Sequence, residues 1–536
     1  MTKRTVLIGL DGATFSVLDP LVDQGVMPFL KQLRWMGARA ELRSVVPPLT
    51  PPAWTSLMTG RNPGHHGVFD FFLKEDNSPH IRFATSRDVR CETVWSIANR
   101  NECRVTTLNY PLMMPPPRLN GHVVAGGWMT PRQLRLGCSP DALYDSIKTI
   151  PEFDPKKVAM DMAHEEKALE GCDRDEYESW IQMHIAREEQ WFGILRHLMR
   201  EEPSGLTAIL FDGVDKIQHL CWRFLAPEWE TGTPEPWEQG VRDAALAYFS
   251  RLDRLLAEIE TLAGPEATLL IASDHGFGPQ TMTFFVNAWL ESEGLLAWAD
   301  ADQPRESDAA TLGMGQLARH VTMLDWKKTK AYAATPSSNG IHIVTAEKAS
   351  DPGVPPAEYE TFRKQLIDSL YNLRCPGTNT RLVEQIWTRE EAFDGPFLHR
   401  APDLTLGLAD GGLVSILGSD APVKLREQPS GTHRPLGVFL AKGPGIQGGI
   451  RADELSILDV APTLLHSLGM AIPEDMEGRV AEEIFEPSFL EEDPVRYGGV
   501  AAPAEAAPPK TSDNIMFDAD AEAEMAKRLR ALGYIE

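Results

Sequence analysis

Short apolar runs alternate with longer, periodically apolar segments along most of the chain. Residues 5–10, 206–211 and 268–273 are largely apolar runs of strand length, typical of strands buried on both faces. We expect further strands at residues 104–108 and 122–125. Because these strands alternate with helical segments, the pattern predicts an α/β fold with a mostly parallel central sheet flanked by helices.

Two segments show a clear helical spacing of apolar residues. Aromatic and aliphatic residues at positions 177–198 fall on one face and predict a single long amphipathic helix. A second helix is predicted over residues 241–259, and Gly264 and Pro265 are expected to end it. This second helix leads the chain into the strand at residues 268–273.

Two other segments interrupt the alternation of strands and helices. Residues 131–204 are helix-rich and are interpreted as a helical insertion. Residues 299–395 contain polar runs and loop signals, which predict a cap insertion. The α/β core is then expected in three parts, residues 1–130, 205–298 and 396–490.

The C-terminal part of the chain closes this core and then changes in composition. Apolar runs at residues 401–404 and 437–441 are expected to return the chain to the core. Residues 491–515 include a stretch rich in Ala and Pro and are predicted to be a linker. Residues 516–536 are predicted to form a C-terminal helix, through which the protein could oligomerise.

Composition and charge limit the partners of the protein. In 536 residues, 77 acidic and 52 basic side chains give a net charge of −25. Nucleic-acid polymers and anionic membranes are bound by clustered Lys and Arg, so we expect neither as a partner. Six scattered cysteines without a Cys-x-x-Cys pair indicate reduced thiols. The N-terminal apolar run is too short for a signal peptide, and no stretch is long enough to span a membrane, which favours a cytoplasmic location.

Each of the three strongest predicted strands runs into an aspartate. Asp11 and Asp274 directly follow their strands, and Asp212 and Asp215 follow the third. In open α/β sheets, ligands bind at the carboxyl ends of the strands, so we expect these carboxylates to converge on one crevice. This arrangement favours a metalloenzyme.

One set of candidate metal ligands follows from helical spacing. His219 comes four residues after Asp215, so a helix would place both side chains on one face. Together with His433 they form an Asp-His-His set, which suits zinc and leaves one coordination position open for substrate. Asp212 competes with Asp215 for this role, but only Asp215 has a histidine four residues later.

A second set comes from the Ser-Asp-His-Gly turn that contains Asp274 and His275. With Asp11, these residues could hold a second ion. Three ligand aspartates carry a charge of −3, and two divalent ions would bring the site to about +1. An acidic protein could therefore still accept an anionic substrate at this place.

The segment at residues 46–60 supplies a candidate nucleophile, Thr50. Thr50 precedes two prolines and a helix-like run, and we expect this helix start to leave backbone N–H groups facing an anion. A threonine hydroxyl is a poor nucleophile at neutral pH, and metal coordination is one way to activate it. Thr55 and Ser56 are the nearby alternatives. Trp54 is interpreted as a packing residue and His66 as a tie for its loop.

Five segments carry motifs that point to a family. They are Gly9-Leu-Asp-Gly, residues 50–67, Asp215-Lys-Ile-Gln-His, Ser273-Asp-His-Gly-Phe-Gly and Gly431-Thr-His-Arg-Pro. In this order, they resemble the alkaline phosphatase superfamily, and most of all its type I phosphodiesterase/nucleotide pyrophosphatase family. The resemblance implies an alkaline-phosphatase-like α/β core, with the helical insertion and the cap as additions.

The resemblance also implies two divalent metal ions, with zinc preferred and manganese as the alternative. One ion would be held by Asp215, His219 and His433, and the other by Asp11, Asp274, His275 and the Thr50 oxygen. Thr50 would attack the phosphorus of a small phosphate-ester substrate, and water would hydrolyse the phospho-threonine intermediate.

Other reactions of the superfamily stay open beside the expected phosphodiesterase. A phosphomonoesterase, a phosphoryl transferase and a non-catalytic metal-binding interaction module are the alternatives. A sulfatase is disfavoured because the chain lacks a Cys-x-Pro-x-Arg motif. Nucleotide pyrophosphatases of the family carry an asparagine after the nucleophile that contacts a phosphoryl oxygen, and Ala53 stands where such a contact could have been.

Overall fold

The computed structural model describes residues 3–74, 81–126, 133–159, 172–226, 234–299, 323–346, 348 and 351–502. The predicted C-terminal helix and most of the predicted linker fall outside these residues.

The strands are β1 (Arg4–Leu10), β2 (Ala38–Arg43), β3 (Phe72–Lys74), β4 (Ile81–Phe83), β5 (Val105–Leu108), β6 (Gly121–Val124), β7 (Cys138–Ser139), β8 (Leu206–Phe211), β9 (Ala267–Ala272), β10 (Gly276–Phe285), β11 (Ala331–Tyr332), β12 (Gly340–Ile343), β13 (Val383–Thr388), β14 (Leu404–Leu408), β15 (Val414–Ser415), β16 (Val423–Arg434), β17 (Leu436–Lys442), β18 (Ile450–Arg451) and β19 (Leu455–Ser456).

The α-helices lie between these strands and after them. They are α1 (Phe15–Asp23), α2 (Pro28–Met36), α3 (Thr50–Thr59), α4 (Pro63–His66), α5 (Val94–Arg100), α6 (Leu143–Ile147), α7 (Pro155–Val158), α8 (Tyr177–Glu201), α9 (Gly213–Leu225), α10 (Pro236–Ala263), α11 (Val286–Ser292), α12 (Tyr359–Tyr371), α13 (Arg389–Ala392), α14 (Val460–Ser467) and α15 (Pro487–Glu492). None of the helices in the described ranges is both long and apolar enough to cross a membrane.

In the described part of the chain, ten strands form one central sheet. Their order is β18-β2-β17-β9-β1-β8-β5-β6-β7, and β19 also pairs with β2. The middle strand β1 runs parallel to both β8 and β9, whereas β17 and β7 run antiparallel to their neighbours. Every residue of β8 and β9 is buried, because helices cover both faces of such a sheet. The predicted α/β fold with a mostly parallel central sheet is confirmed.

The two long predicted helices are present and pack against each other. The first is α8 and the second is α10, and each begins or ends beyond the predicted apolar stretch. Gly264 follows α10 with a φ of 80°, a left-handed value that a glycine adopts without steric cost. The helix therefore ends where the sequence predicts.

Beside the main core lies a second apolar cluster, built around two smaller sheets. One is the four-stranded sheet β11-β12-β14-β13, and the other is the three-stranded sheet β15-β10-β16. The apolar run at residues 401–404 leads into β14, which pairs with β12 and β13 and not with the central sheet. The expected return to the core at this point was therefore wrong, since an apolar run does not specify which sheet it joins. The chain returns to the central sheet with β17. The division into core, helical insertion and cap stays a prediction.

Candidate active site

Three carboxylates meet at the carboxyl ends of the central strands. Asp11 directly follows β1, Asp274 lies two residues beyond β9, and Asp215 lies in the first turn of α9, which follows β8. Because β1 lies between β8 and β9, these strand ends are adjacent. All three aspartates are buried. The structure thus brings together the strand-end aspartates that the sequence pattern singles out.

Asp11, Asp274 and His275 form one compact set beside Thr50. The Nε2 atom of His275 lies 3.2 Å from Asp274 Oδ2 and 3.6 Å from Asp11 Oδ1. The hydroxyl oxygen of Thr50 lies 3.4 Å from the same nitrogen. One ligand atom from each of the two aspartates and from His275 lies within 4.8 Å of the others. These are the four residues expected to share one ion.

Asp215, His219 and His433 form a second set of the same kind. The Nε2 atoms of both histidines lie 3.4 Å from Asp215 Oδ1, and they lie 3.3 Å from each other. Asp215 and His219 are on one face of α9, as their spacing predicts. His433 comes from β16, more than two hundred residues later in the chain. The two sets adjoin, because the His275 and His433 rings stack with their centroids 3.5 Å apart.

The second ring nitrogen of each histidine contacts a backbone carbonyl. The Nδ1 atoms of His219, His275 and His433 lie 3.0, 3.1 and 2.8 Å from the carbonyl oxygens of Gly431, Gly276 and Pro48, respectively. A carbonyl oxygen can only accept a hydrogen bond, so each Nδ1 must carry a proton. The Nε2 atoms of the neutral rings then present lone pairs to the carboxylates, which is the arrangement typical of metal-binding histidines.

The aspartates also have buried oxygens that the surrounding protein does not satisfy. Within the described residues, Asp11 Oδ1, Asp215 Oδ1 and Asp274 Oδ2 have no hydrogen-bond partner. Leaving a buried carboxylate oxygen without a partner is costly, and cation binding would remove that cost. The donor set of carboxylate oxygens and imidazole nitrogens fits two divalent cations, including zinc.

Electrostatics at the site lead to the same conclusion. Burial raises the pKa of Asp11 well above its ordinary value, and repulsion from Asp274 and Asp215 raises it further. Burial also raises the pKa of Asp274. It lowers the pKa of His433 and, together with repulsion from His433, holds that of His275 well below its usual range. His275 and His433 are therefore neutral at pH 7, while the like-charged aspartates would gain from a cation between them.

Thr50 occupies the first position of α3, with its side chain buried beside His275. The start of this helix has fewer backbone donors than the prediction assumed. Pro51 and Pro52 have no N–H group, and the N–H of Ala53 donates to Leu49 O inside the helix. The prolines thus remove two of the donors, and an anion site at this helix start stays a prediction. Ala53 is fully buried in the main core.

The alternatives to the predicted site residues have other partners. The Thr55 hydroxyl donates to Pro51 O at 2.7 Å, and Ser56 contacts His66 Nε2 at 2.9 Å. Asp212 forms a buried ion pair with Arg187 and with Lys216. Each of these side chains stabilises local structure, whereas Thr50 and Asp215 lie in the two sets.

The packing interpretations of Trp54 and His66 agree with the structure. The Trp54 ring is buried and packs edge-on against Tyr110, with their centroids 5.4 Å apart. His66 is buried, and its Nδ1 accepts a hydrogen bond from the N–H of Val68 at 3.2 Å, which holds the loop after α4. Neither residue belongs to the two sets.

Sequence reasoning missed residues that contact the predicted ligands or their backbone and so support the site. Gln218 donates to the carbonyl of Gly12 at 2.8 Å, and the N–H of Gly12 donates to Asp274 Oδ1 at 3.1 Å. Phe277, within the Ser-Asp-His-Gly-Phe-Gly motif, packs against the predicted histidine ligands. Phe277 could have been found from the sequence, because it is an aromatic residue inside a motif that contains two predicted ligands. The contacts of Gln218 depend on tertiary structure.

Two solved structures illustrate the likeness of the fold. Phosphonoacetate hydrolase from Sinorhizobium meliloti 1021, in complex with phosphonoacetate, aligns with a TM-score of 0.50 at 16% identity, over 87% of this chain and 95% of that chain. Murine ectonucleotide pyrophosphatase / phosphodiesterase 5 aligns with a TM-score of 0.50 at 12% identity, over 90% and 100%. Both relatives have the alkaline-phosphatase-like fold. Comparison with curated proteins gives no significant match.

The sequence itself matches a family model over most of its length. The model describes the type I phosphodiesterase / nucleotide pyrophosphatase family and matches residues 5–435. This range contains both ligand sets and Thr50. Members of the family are metal-dependent enzymes that hydrolyse phosphoric esters. The chain therefore belongs to the type I phosphodiesterase / nucleotide pyrophosphatase family of the alkaline phosphatase superfamily.

Proposed function

We propose that this protein hydrolyses phosphate esters, diesters ahead of monoesters, through a phospho-threonine intermediate at a two-metal site. The observation that carries the proposal is the position of Thr50. Its hydroxyl oxygen lies 3.4 Å from His275 Nε2, beside a set of residues that has unsatisfied carboxylate oxygens. A hydroxyl in this position would share a cation with Asp11, Asp274 and His275, which would favour its ionised form.

The second ion would be held by Asp215, His219 and His433. Zinc suits this set of oxygen and nitrogen ligands, and manganese is the alternative. The neighbouring His275 and His433 rings keep the two sets side by side. When bound, two divalent ions supply the positive charge that lowers the pKa of the nucleophile and offsets the charge on the phosphoryl oxygens.

Within this site the reaction needs only two displacements at phosphorus. The Thr50 oxygen forms a bond to phosphorus, and the leaving-group oxygen departs with the electron pair of the broken bond and takes a proton from water. A water oxygen then bonds to phosphorus, and the Thr50 oxygen leaves and regains a proton. The three histidines hold their Nδ1 protons against backbone carbonyls, which orients the rings. Their Nε2 lone pairs would be taken up by the ions, so the histidines would not act as general bases.

We propose a small phosphate ester as the substrate. The related phosphonoacetate hydrolase binds phosphonoacetate, which offers a compact tetrahedral anion similar to a phosphoryl group. A cytoplasmic location and oligomerisation through residues 516–536 stay predictions from the sequence.

The test compares bis-p-nitrophenyl phosphate with p-nitrophenyl phosphate, with added Zn²⁺ or Mn²⁺. Wild type is expected to prefer the diester, and chelation or Thr50→Ala should reduce its turnover at least about a thousandfold. Thr55→Ala is the matched control, because Thr55 lies one turn later in α3 and bonds within the helix. A preference for the monoester would assign the same site to a phosphatase. Full activity of Thr50→Ala would exclude the threonine mechanism.

A further inference from the structure

One aromatic ring lies against all three histidines of the two ligand sets. The Phe277 ring centroid is 4.7 Å from that of His219, 5.5 Å from that of His433 and 6.1 Å from that of His275. Phe277 is 3% exposed. Its ring meets His219 edge-on, at an interplanar angle of 82°. A single apolar side chain thus contacts ligands that arise from three separate segments of the chain.

The backbone of the neighbouring segments approaches the Phe277 ring closely. In the antiparallel pair of β10 and β16, Phe277 lies directly opposite His433. A Cβ atom on Gly12 would lie 3.0 Å from the Phe277 ring, and one on Gly431 would lie 2.7 Å from it. Gly12 follows Asp11, so its segment too lies against the ring. Glycine at positions 12 and 431 lets both segments approach the ring.

We propose that Phe277 is a positioning residue that sets the separation of the two ligand sets, and hence of the two metal ions. This inference rests on the proposed function, because it requires that both sets hold ions. The ring touches His275 of one set and His219 and His433 of the other, so its volume is a common spacer. A smaller side chain would leave a gap beneath the ligands, and the imidazoles would tilt into it.

A neighbouring residue allows the positioning role to be separated from simple packing. Trp222 on α9 stacks against Phe277, with its ring centroid 6.2 Å from that of Phe277 at an angle of 27°. Trp222 is also buried. Trp222→Phe therefore removes apolar volume next to Phe277 and keeps the Phe277 ring itself. It is the matched control for Phe277→Leu.

The experiment loads the full-length protein with Mn²⁺ and measures three quantities. These are the stoichiometry and affinity of metal binding by competition with a chelator, the magnetic coupling between two bound Mn²⁺ ions by electron paramagnetic resonance, and the melting temperature. Wild type should bind two ions and show a coupled spectrum. Phe277→Leu should weaken binding of at least one ion by about 10–100-fold and reduce the coupling, as expected when the support of metal ligands is altered.

Trp222→Phe and Phe277→Leu should lower the melting temperature by similar amounts. Trp222→Phe should nevertheless leave the metal affinity and the magnetic coupling within about threefold of wild type. If Phe277→Leu also keeps wild-type affinity and coupling, Phe277 is only a packing residue and the inference is wrong. If wild type itself binds fewer than two ions, the two-metal proposal fails first. Should Phe277→Leu not fold, Phe277→Met takes its place, because it likewise removes the ring and reduces the side-chain volume. An unchanged coupled spectrum and wild-type affinity in that variant would also overturn the inference.

Discussion

The carboxylate of Asp70 accepts a hydrogen bond of 2.6 Å from the hydroxyl of Ser337, 267 positions later in the chain. Thr335 donates a second hydrogen bond to the other oxygen of Asp70, at 2.5 Å. Asp70 lies in the segment between α4 and β3, and Ser337 lies between β11 and β12. All three residues are buried. This contact joins the segment that follows the candidate nucleophile helix to the smaller four-stranded sheet.

The buried Asp70 carboxyl makes the stability of the protein depend on pH. Burial raises the pKa of Asp70 from its ordinary value of 3.8 to about 6, and it outweighs the hydrogen bonds from Ser337 and Thr335. Between these two values, the folded protein binds a proton that the unfolded chain does not. The contribution of Asp70 to stability is therefore fully present below about pH 4 and is lost as the pH rises through about 6, a change of at most about 3 kcal/mol.

The measurement is the free energy of unfolding in urea, with chelator present, for wild type and Asp70→Asn from pH 4 to 7. The difference between wild type and variant should fall as the pH rises, because asparagine does not titrate. A difference independent of pH would show that Asp70 titrates as it does in the unfolded chain.

The two aspartates that follow β8 should differ in what their loss does. Asp215→Asn should abolish binding of one ion and leave the melting temperature of the metal-free protein within a few degrees of wild type. Asp212→Asn should leave Arg187 and Lys216 buried without their carboxylate and cost about 3–5 kcal/mol of stability. Metal titration and thermal unfolding of both variants test this. Equal metal loss in both variants, with equal stability, would contradict the assignment of Asp215.

Metal should stabilise the folded protein, because both ligand sets are assembled only by tertiary structure. Adding Zn²⁺ at about a hundred times its dissociation constant should stabilise the protein by about 2.7 kcal/mol per site. Differential scanning calorimetry with zinc, with chelator, and with Mg²⁺ as a cation that suits this donor set poorly would show the effect. A melting temperature that zinc and chelator leave unchanged would count against metal binding at the site.

Ser56 should contribute to stability through the buried imidazole of His66. Because His66 Nδ1 accepts from the Val68 N–H, its Nε2 carries the proton and donates to the Ser56 hydroxyl at 2.9 Å. Burial lowers the pKa of His66 to about 3, with a further effect of His65, so the ring stays neutral at pH 7. Ser56→Ala leaves a buried N–H without its acceptor and should cost about 1–3 kcal/mol of unfolding free energy.

Chemical denaturation gives this value directly, and Thr55→Ala serves as the comparison. The Thr55 hydroxyl bonds to a carbonyl of its own helix, so its removal leaves no buried donor unsatisfied. A loss in Ser56→Ala no larger than that in Thr55→Ala would argue against the buried hydrogen bond to His66.

The central strands and the long helices could be predicted because local patterns determine them. The strand-end aspartates could also be predicted to converge, because parallel strands deliver their carboxyl ends to one edge. The spacing of Asp215 and His219 needed only helical geometry. Each of these predictions depends on contacts within a few residues or on a general rule for sheets.

Other features depend on contacts between distant segments, and sequence patterns do not specify them. The carbonyls that orient the three histidines come from Pro48, Gly276 and Gly431, residues with no distinguishing side chain in this role. The number of backbone donors at the start of α3 was overestimated, because Pro51 and Pro52 have no N–H group to offer. The partners of Asp70 could not be found, since they lie in a loop hundreds of residues away.

The pairing of β10 with β16 also limits how this protein can evolve. A register shift separates the pairs formed by Gln280 and Met282, and beyond it Phe277 faces His433. Successive side chains of a strand point to opposite sides, so a one-residue deletion between Ser430 and His433 would turn that imidazole away from Asp215. The strand could still pair and the fold could persist without its second ligand set. Insertions or deletions in this short stretch are therefore incompatible with the second ligand set, whereas the exposed part of β16 before it does not determine which way the His433 side chain points.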